Sequence, residues 1–282
     1  MKLYTVRDPR GDWVAVERDG GLVDLTAAGV AVTMLDLIRK TPVGWQAARD
    51  AARGGPVRRA LDGVDLAAPL QPGKVLCSGI NYRGHALENP NAKMPTEPFF
   101  FAKLPSSVIG PGTPIRHPER TEQMDYEVEF AAVIGKRLRR ARAEDVLPAL
   151  FGYTLLNDVS ARDVQFKDNQ ITLGKNFDGF APIGPCILTS DAMPHPDRVR
   201  LRTRLNGRTL QDGSTSDWLF PLPELIAYLS HTMTLEPGDV VTTGTPAGVG
   251  LFQKPPIFMG PGDVVEIEAE GIGVLRNPIV AS

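Results

Sequence analysis

The chain has 282 residues, 42% hydrophobic and 23% charged, with a net charge of −2. That length suits one large domain or a small plus a large one, and that balance is ordinary for a globular protein. The near-neutral charge excludes a broad basic surface for nucleic acid, and no apolar run approaches the ~18 residues of a membrane span.

The N-terminal segment reads as strands over residues 2–6, 13–17 and 21–24, the first two joined by the turn Pro9-Arg10-Gly11-Asp12. Helices are expected over 33–40 and 45–53, the second broken by Gly54-Gly55-Pro56. Residues 66–72 read as a connection, so a small α+β domain is expected over 1–70 and a larger β-rich one over 71–282. The 28 Gly and 25 Pro imply many turns.

In the second part, short strands are expected at 75–78 and 99–102, with a polar, mobile loop at 89–98. Strands follow at 127–134 and 152–157, then a short helix at 161–168 with Ser160 and Asp163 as a capping box. Asn206-Gly207 between 199–205 and 208–211 is a hairpin signal. A helix at 222–230 and strands at 239–243 and 263–268 complete the reading.

Cys77 and Cys186 belong to no CxxC pair and sit in apolar runs, so they read as buried free thiols rather than zinc ligands. The first residues, Met1 to Asp8, carry no apolar leader, which points to the cytoplasm.

Candidate chemistry starts at Asp125-Tyr126-Glu127-Val128-Glu129-Phe130. On a strand, Glu127 and Glu129 share one face about 7 Å apart, with Tyr126, Val128 and Phe130 on the other. Two carboxylates on a core-like strand repel and lose solvation, which a hard cation between them would relieve. A half-solvated antiparallel strand has the same pattern. Asp158 is either a turn aspartate or a third oxygen ligand, and three carboxylates suit Mg²⁺, Mn²⁺ or Ca²⁺.

Of four histidines, His117 and His195 lie beside prolines and read as loop residues, and His231 as a helix-end residue. His85 has Glu88 three residues on, which forms either a surface pair or an imidazole base oriented by a carboxylate. Arg162, Gln165 and Lys175 form either a solvated polar face or a set of donors for an oxyanion. The loop Gly244-Thr245-Pro246-Ala247-Gly248-Val249-Gly250 lacks the ending of a phosphate loop and reads as a tight substrate-facing turn.

Between residues 74 and 277, these segments resemble the fumarylacetoacetate hydrolase superfamily in order and spacing: Gly79-Ile80-Asn81-Tyr82 with His85 and Glu88, Tyr126-Glu127-Val128-Glu129, Asn157 to Gln165, Gly174-Lys175, and Gly244 to Gly250. The resemblance implies a mixed β-sandwich or β-roll catalytic domain, usually a homodimer, and metal ligands at Glu127, Glu129 and Asp158 for Mg²⁺ or Mn²⁺. It implies His85 with Glu88 as the base pair, Arg162, Gln165 and Lys175 as oxyanion and substrate contacts, and Thr245 as a substrate-carboxylate contact. Ser78 stands seven residues before His85, where fumarylacetoacetases carry a fourth acidic ligand. The chain is therefore more similar to the three-carboxylate branch of acylpyruvate and sugar-diketoacid hydrolases.

The activity so implied is metal-dependent hydrolysis of a C–C bond in a 2,4-diketo acid, releasing pyruvate or a related 2-keto acid. A lyase or isomerase on the same ligands, such as an oxaloacetate decarboxylase, and a non-catalytic metal-binding module are the alternatives. Specificity is expected from residues 89–98 and 167–172, whose Asn, Lys, Gln and Glu content points to a polar substrate.

Overall fold

A computed structural model describes residues 1–89 and 93–282. Its spine is an eleven-stranded mixed sheet. In spatial order the strands are Val57–Ala60, Gly21–Asp24, Trp13–Arg18, Lys2–Val6, Ala181–Thr189, Leu150–Asn157, Val128–Ile134, Val240–Thr242, Val75–Ser78 and Phe100–Lys103, with Val108–Ile109 paired to Ala181–Thr189 off this path. A five-stranded sheet packs beside it, in the order Arg208–Ser214, Arg200–Leu205, Val264–Ala269, Gly273–Ala281, Ile115–His117. The β-rich α+β architecture expected from sequence is present.

The central strands are buried on both faces. Val128, Phe130, Ala132 and Ile134 enter one apolar cluster, while Ala131 and Val133 enter another with Cys77, Leu156 and Val240. The first cluster includes Phe130 stacked on Tyr153 at 5.1 Å between ring centres. Truncating such a ring costs about 3–5 kcal/mol, from lost burial plus the cavity left behind.

The N-terminal strands do not form a separate sheet. Lys2–Val6 pairs antiparallel with Ala181–Thr189, Lys2 opposite Leu188 and Leu3 opposite Ile187. Hydrogen bonding thus continues across the chain division near residue 70.

Most expected elements form within a residue or two of their places. Thr33 caps the helix Met34–Arg39 by accepting from the Asp36 amide. At the hairpin, Leu205 faces Arg208, and Asn206 and Gly207 hold the positive φ values of 52° and 81° that a two-residue turn needs. Four expectations are corrected. Two nine-residue strands, Ala181–Thr189 and Gly273–Ala281, were not anticipated, because Pro182, Pro185 and Pro278 interrupt them and proline donates nothing to a ladder. His117 ends a strand rather than lying in a loop. The strand expected from Glu127 begins at Val128, since the Glu127 amide donates to the Asn157 side chain. The Ser160–Asp163 capping box is absent: Asp163 accepts from Thr121 and the Glu122 amide, and the Ser160 hydroxyl donates to the Asp158 carbonyl. Of the loop expected at 89–98, residues 90–92 lie outside the described residues, and the remainder carries no helix or strand. Among the described residues no helix is long and apolar enough to cross a membrane.

Candidate active site and metal centre

The site lies on one face of the central sheet, at the ends of neighbouring strands. Val128 pairs with Asn157 and Glu129 with Leu156, and the Asp158 amide donates to the Glu127 carbonyl at 3.0 Å. Glu127 and Asp158 therefore face each other just beyond the ladder. Side-chain alternation puts Glu129 on the same side. Cys77, on Val75–Ser78, belongs to this face too.

These groups are buried and tightly paired. Lys175 Nζ donates to Glu127 Oε2 at 2.7 Å and to Asp158 Oδ2 at 2.6 Å. Lys103, completely buried, donates to Asp158 Oδ1 and to the Val159 carbonyl. Arg162 donates from Nη2 to Glu127 at 2.5 Å, from Nε to Asp125 at 2.9 Å, and from Nη1 to Gln165 Oε1 at 3.2 Å. Asp125 also accepts from the Gly250 and Leu251 amides.

Burial opposes ionisation of Glu127, but Arg162 and Lys175 outweigh it and hold that carboxyl below its usual range. Glu129 is the opposite case. Burial, then the charges of Asp158 and Glu127, push it well above a normal carboxylate. Burial likewise lowers Lys103, against the pull of Asp158. Lys175 is raised, because Asp158 and Glu127 overcome its burial.

The residues fit a divalent cation. Glu129 Oε2 is buried with no hydrogen-bond partner among the described residues. Ligand atoms of Cys77, Glu129 and Asp158 lie within 4.8 Å of one another. A cation would relieve the crowding that drives Glu129 towards its neutral form. Glu127, expected as the third ligand, stands outside that cluster with its oxygens engaged by Arg162 and Lys175. The Cys77 thiol is the third member of that close cluster, whereas Glu127 lines the cavity described next.

A cavity of about 270 Å³ opens onto this cluster. His85, Glu127, Glu129, Arg162, Gln165, Lys175 and Thr245 all line it. Glu88 and Asp158 stand behind them, touching His85 and Lys175. His85 Nδ1 is 2.6 Å from Glu88 Oε2. The short helix Arg83–Glu88 that carries both is fixed at its start by Asp217, which accepts the Gly84 amide at 2.7 Å. Buried Asn81 ties the preceding turn to Phe220 and Thr243.

Apart from Ser78 and Asn89, the rest of the wall is apolar and includes Phe99, Phe101, Phe166, Ile171, Leu251 and Phe252. That corrects the polar lining expected from residues 167–172. Lys167, Asp168 and Gln170 line a separate surface depression. Sequence reading also missed Asp125, Lys103 and Gln211. Lys103 carried one usable signal: a charge inside the otherwise apolar run from Phe99 to Leu104.

Residues 74–280 match the family model described as fumarylacetoacetate (FAA) hydrolase C-terminal. The chain is 41% identical to "Oxaloacetate tautomerase fahd2, mitochondrial" of Xenopus laevis, over 93% of this chain and 84% of that one. Among solved structures, a fumarylacetoacetate hydrolase of Exiguobacterium antarcticum is 38% identical with a TM-score of 0.85, both chains being covered in full. A maleylpyruvate hydrolase of Sphingobium sp. SYK-6, solved with manganese(II) and pyruvate, is 31% identical with a TM-score of 0.84, again over both whole chains.

Proposed function

The chain belongs to the fumarylacetoacetate hydrolase family, and from that premise we propose that it is an enzyme moving a proton on a small 2-oxo acid, most simply a keto–enol tautomerase of an oxaloacetate-like acid. The carrying observation is the 2.6 Å contact between His85 Nδ1 and Glu88 Oε2 on the wall of the cavity that also receives Lys175, Gln165 and Thr245.

An ionised Glu88 accepts from Nδ1–H, which leaves Nε2 of His85 unprotonated and free to act as a base. That nitrogen would take the proton from the carbon beside the ketone and return it to carbon or oxygen. Gln165 Oε1 is occupied by Arg162, so its amide nitrogen is the group left to donate to a substrate oxygen. Lys175 keeps positive charge where negative charge develops. Thr245 would hold a substrate carboxylate. Arg162 binds Glu127, Asp125 and Gln165 together, which suits a positioning role better than the direct substrate contact expected from sequence. A divalent cation beside Glu129 and Asp158, with Glu127 joining if Lys175 moves, would supply Lewis-acid polarisation of the ketone. Mg²⁺ and Mn²⁺ suit the carboxylates, and the nearby thiol favours Mn²⁺ of the two.

A second reading is hydrolysis of an acylpyruvate, with His85 acting on a water. The cavity favours it: about 270 Å³ with an aromatic wall exceeds what a four-carbon diacid fills. The same residues serve both reactions.

The deciding experiment follows enol absorbance in the near ultraviolet and pyruvate release together, with Mg²⁺, with Mn²⁺ and after chelation. Faster decay of enol-oxaloacetate without pyruvate supports tautomerisation. Pyruvate in step with loss of an acylpyruvate supports hydrolysis. A folded His85→Ala protein with full activity would overturn both.

A further inference from the structure

Gln211 lies completely buried in the strand Arg208–Ser214, and all its hydrogen-bonding capacity in view is used. Its Oε1 accepts from the Val128 amide at 3.0 Å and from Thr203 Oγ1 at 2.7 Å. Its Nε2 donates to the Pro246 carbonyl at 2.8 Å and to Thr245 Oγ1 at 2.8 Å. Two of these partners have a fixed sense. A backbone N–H only donates, and a proline carbonyl only accepts. They set which end of the Gln211 amide is oxygen and which is nitrogen. It follows that the Thr245 hydroxyl must accept from Gln211.

A hydroxyl that accepts along one direction keeps its own proton for another. Thr245 has no other hydrogen-bond partner among the described residues, and it lines the cavity. We propose that Gln211 is a positioning residue that fixes Thr245 as a hydrogen-bond donor to the cavity and so selects a carboxylate at that end of the substrate. The proposal rests on the reading that a 2-oxo acid occupies this site. The loop that carries Thr245 is held close to the same hairpin. A Cβ on Gly248, at φ +108°, would meet the Leu210 carbonyl at 2.2 Å, and one on Gly213 would meet Pro246 at 2.4 Å. The backbone of the Thr245 loop therefore packs closely on the hairpin that carries Gln211.

Gln211→Glu keeps the acceptor towards Val128 and Thr203 but replaces the donor by an oxygen. Thr245 then turns its proton onto the new carboxylate, and the cavity loses its donor. The test is calorimetric titration of oxalate, a non-reacting analogue, into the full chain with Mn²⁺, after melting curves show each variant folded. Thr245→Val and Gln211→Glu should each weaken oxalate about tenfold, as loss of one charge-assisted hydrogen bond does. The double variant should be no weaker than either single, because both remove one interaction. Thr245→Ser should restore binding to within about threefold of the original. In turnover, KM for a carboxylate substrate should rise while kcat changes much less.

Folded Gln211→Glu protein that binds oxalate like the unmodified chain overturns the proposal, and so do additive losses in the double variant. Should Gln211→Glu not fold, equal oxalate affinity in Thr245→Val and Thr245→Ser still overturns it. No oxalate binding to the unmodified protein would sink the 2-oxo acid reading together with this one. Binding that no variant alters would sink this one alone.

Discussion

Glu88 Oε1 accepts the amide N–H of Gly248 at 2.7 Å, across 160 residues of chain, while its other oxygen holds His85. One carboxylate thus joins the candidate base to the glycine-rich loop that carries Thr245. Glu88→Gln makes the consequence visible. An amide that accepts from Gly248 must turn its NH₂ towards Nδ1, which forces the imidazole proton onto Nε2. Turnover should fall about 10²–10⁴-fold, the usual worth of a general base, with KM little changed. Steady-state kinetics on protein of unchanged circular dichroism checks it.

Crowded negative charge around Glu129 predicts that Glu129→Gln is tolerated by the fold. Without added cation, its melting temperature should stay within about 1.5 °C of the original, a shift that corresponds to about 1 kcal/mol for a chain of this size. The original protein should gain stability with Mn²⁺, about 2.7 kcal/mol at a hundredfold excess over Kd. Glu129→Gln should lose most of that gain. Melting curves with a chelator and with Mn²⁺ measure both; equal stabilisation of the two proteins would remove Glu129 from the cation site.

Gly174 touches the site through its lack of a side chain. A Cβ there would lie 2.6 Å from Gln165 Cα and Cβ. Gly174→Ala should push the turn bearing Lys175 away from Gln165, and a shift of about 1 Å in such a site can cost about 10²-fold in kcat/KM. Gly54→Ala, where a Cβ meets nothing within 4 Å, is the matched control and should leave kcat/KM unchanged.

Burial pushes the Cys186 thiol up to about 12 and the Cys77 thiol well above its usual value. In the unfolded chain these thiols ionise near pH 8.5. Their contribution to stability is therefore complete below that pH and is lost as pH rises towards the folded value. Each thiol contributes a loss of about 1.4 kcal/mol per pH unit in that window. Urea unfolding at pH 8 and pH 10 should show the loss, and Cys186→Ala should make it shallower by about one proton. At pH 8 the native protein should resist alkylation at both cysteines and react at both in guanidinium.

What the sequence disclosed followed interaction range. The Asn206-Gly207 turn, the Thr33 cap and the His85–Glu88 pair depend on neighbours within four residues, and each reads directly from spacing. Glu127 and Glu129 stood out as two carboxylates on one face of an apolar strand, a pattern a half-solvated strand shares, and the family resemblance joined Asp158 to them. The contacts that orient them were not legible. Arg162 reaches Asp125 across 37 residues, Lys103 reaches Asp158 across 55, and Gln211 reaches Val128 across 83. Nothing local to Gln211 distinguishes it from a solvated strand residue, and the apolar run around Lys103 gives its burial but not its partner. Cys77 had only apolar neighbours to be judged by, and they gave burial correctly but not its proximity to Glu129 and Asp158.

The pairing of Lys2–Val6 with Ala181–Thr189 has a consequence for the molecule's handling of its own backbone. Without the N-terminal strands, Ala181–Thr189 would become an open border of the central sheet beyond the two residues, Ala181 and Pro182, that pair with Val108–Ile109. A border offering unsatisfied amides and carbonyls beside Ile183, Ile187 and Leu188 is a template for the strand of another chain. The N-terminal segment, remote from the chemistry, therefore also acts as the molecule's protection against association through its own sheet.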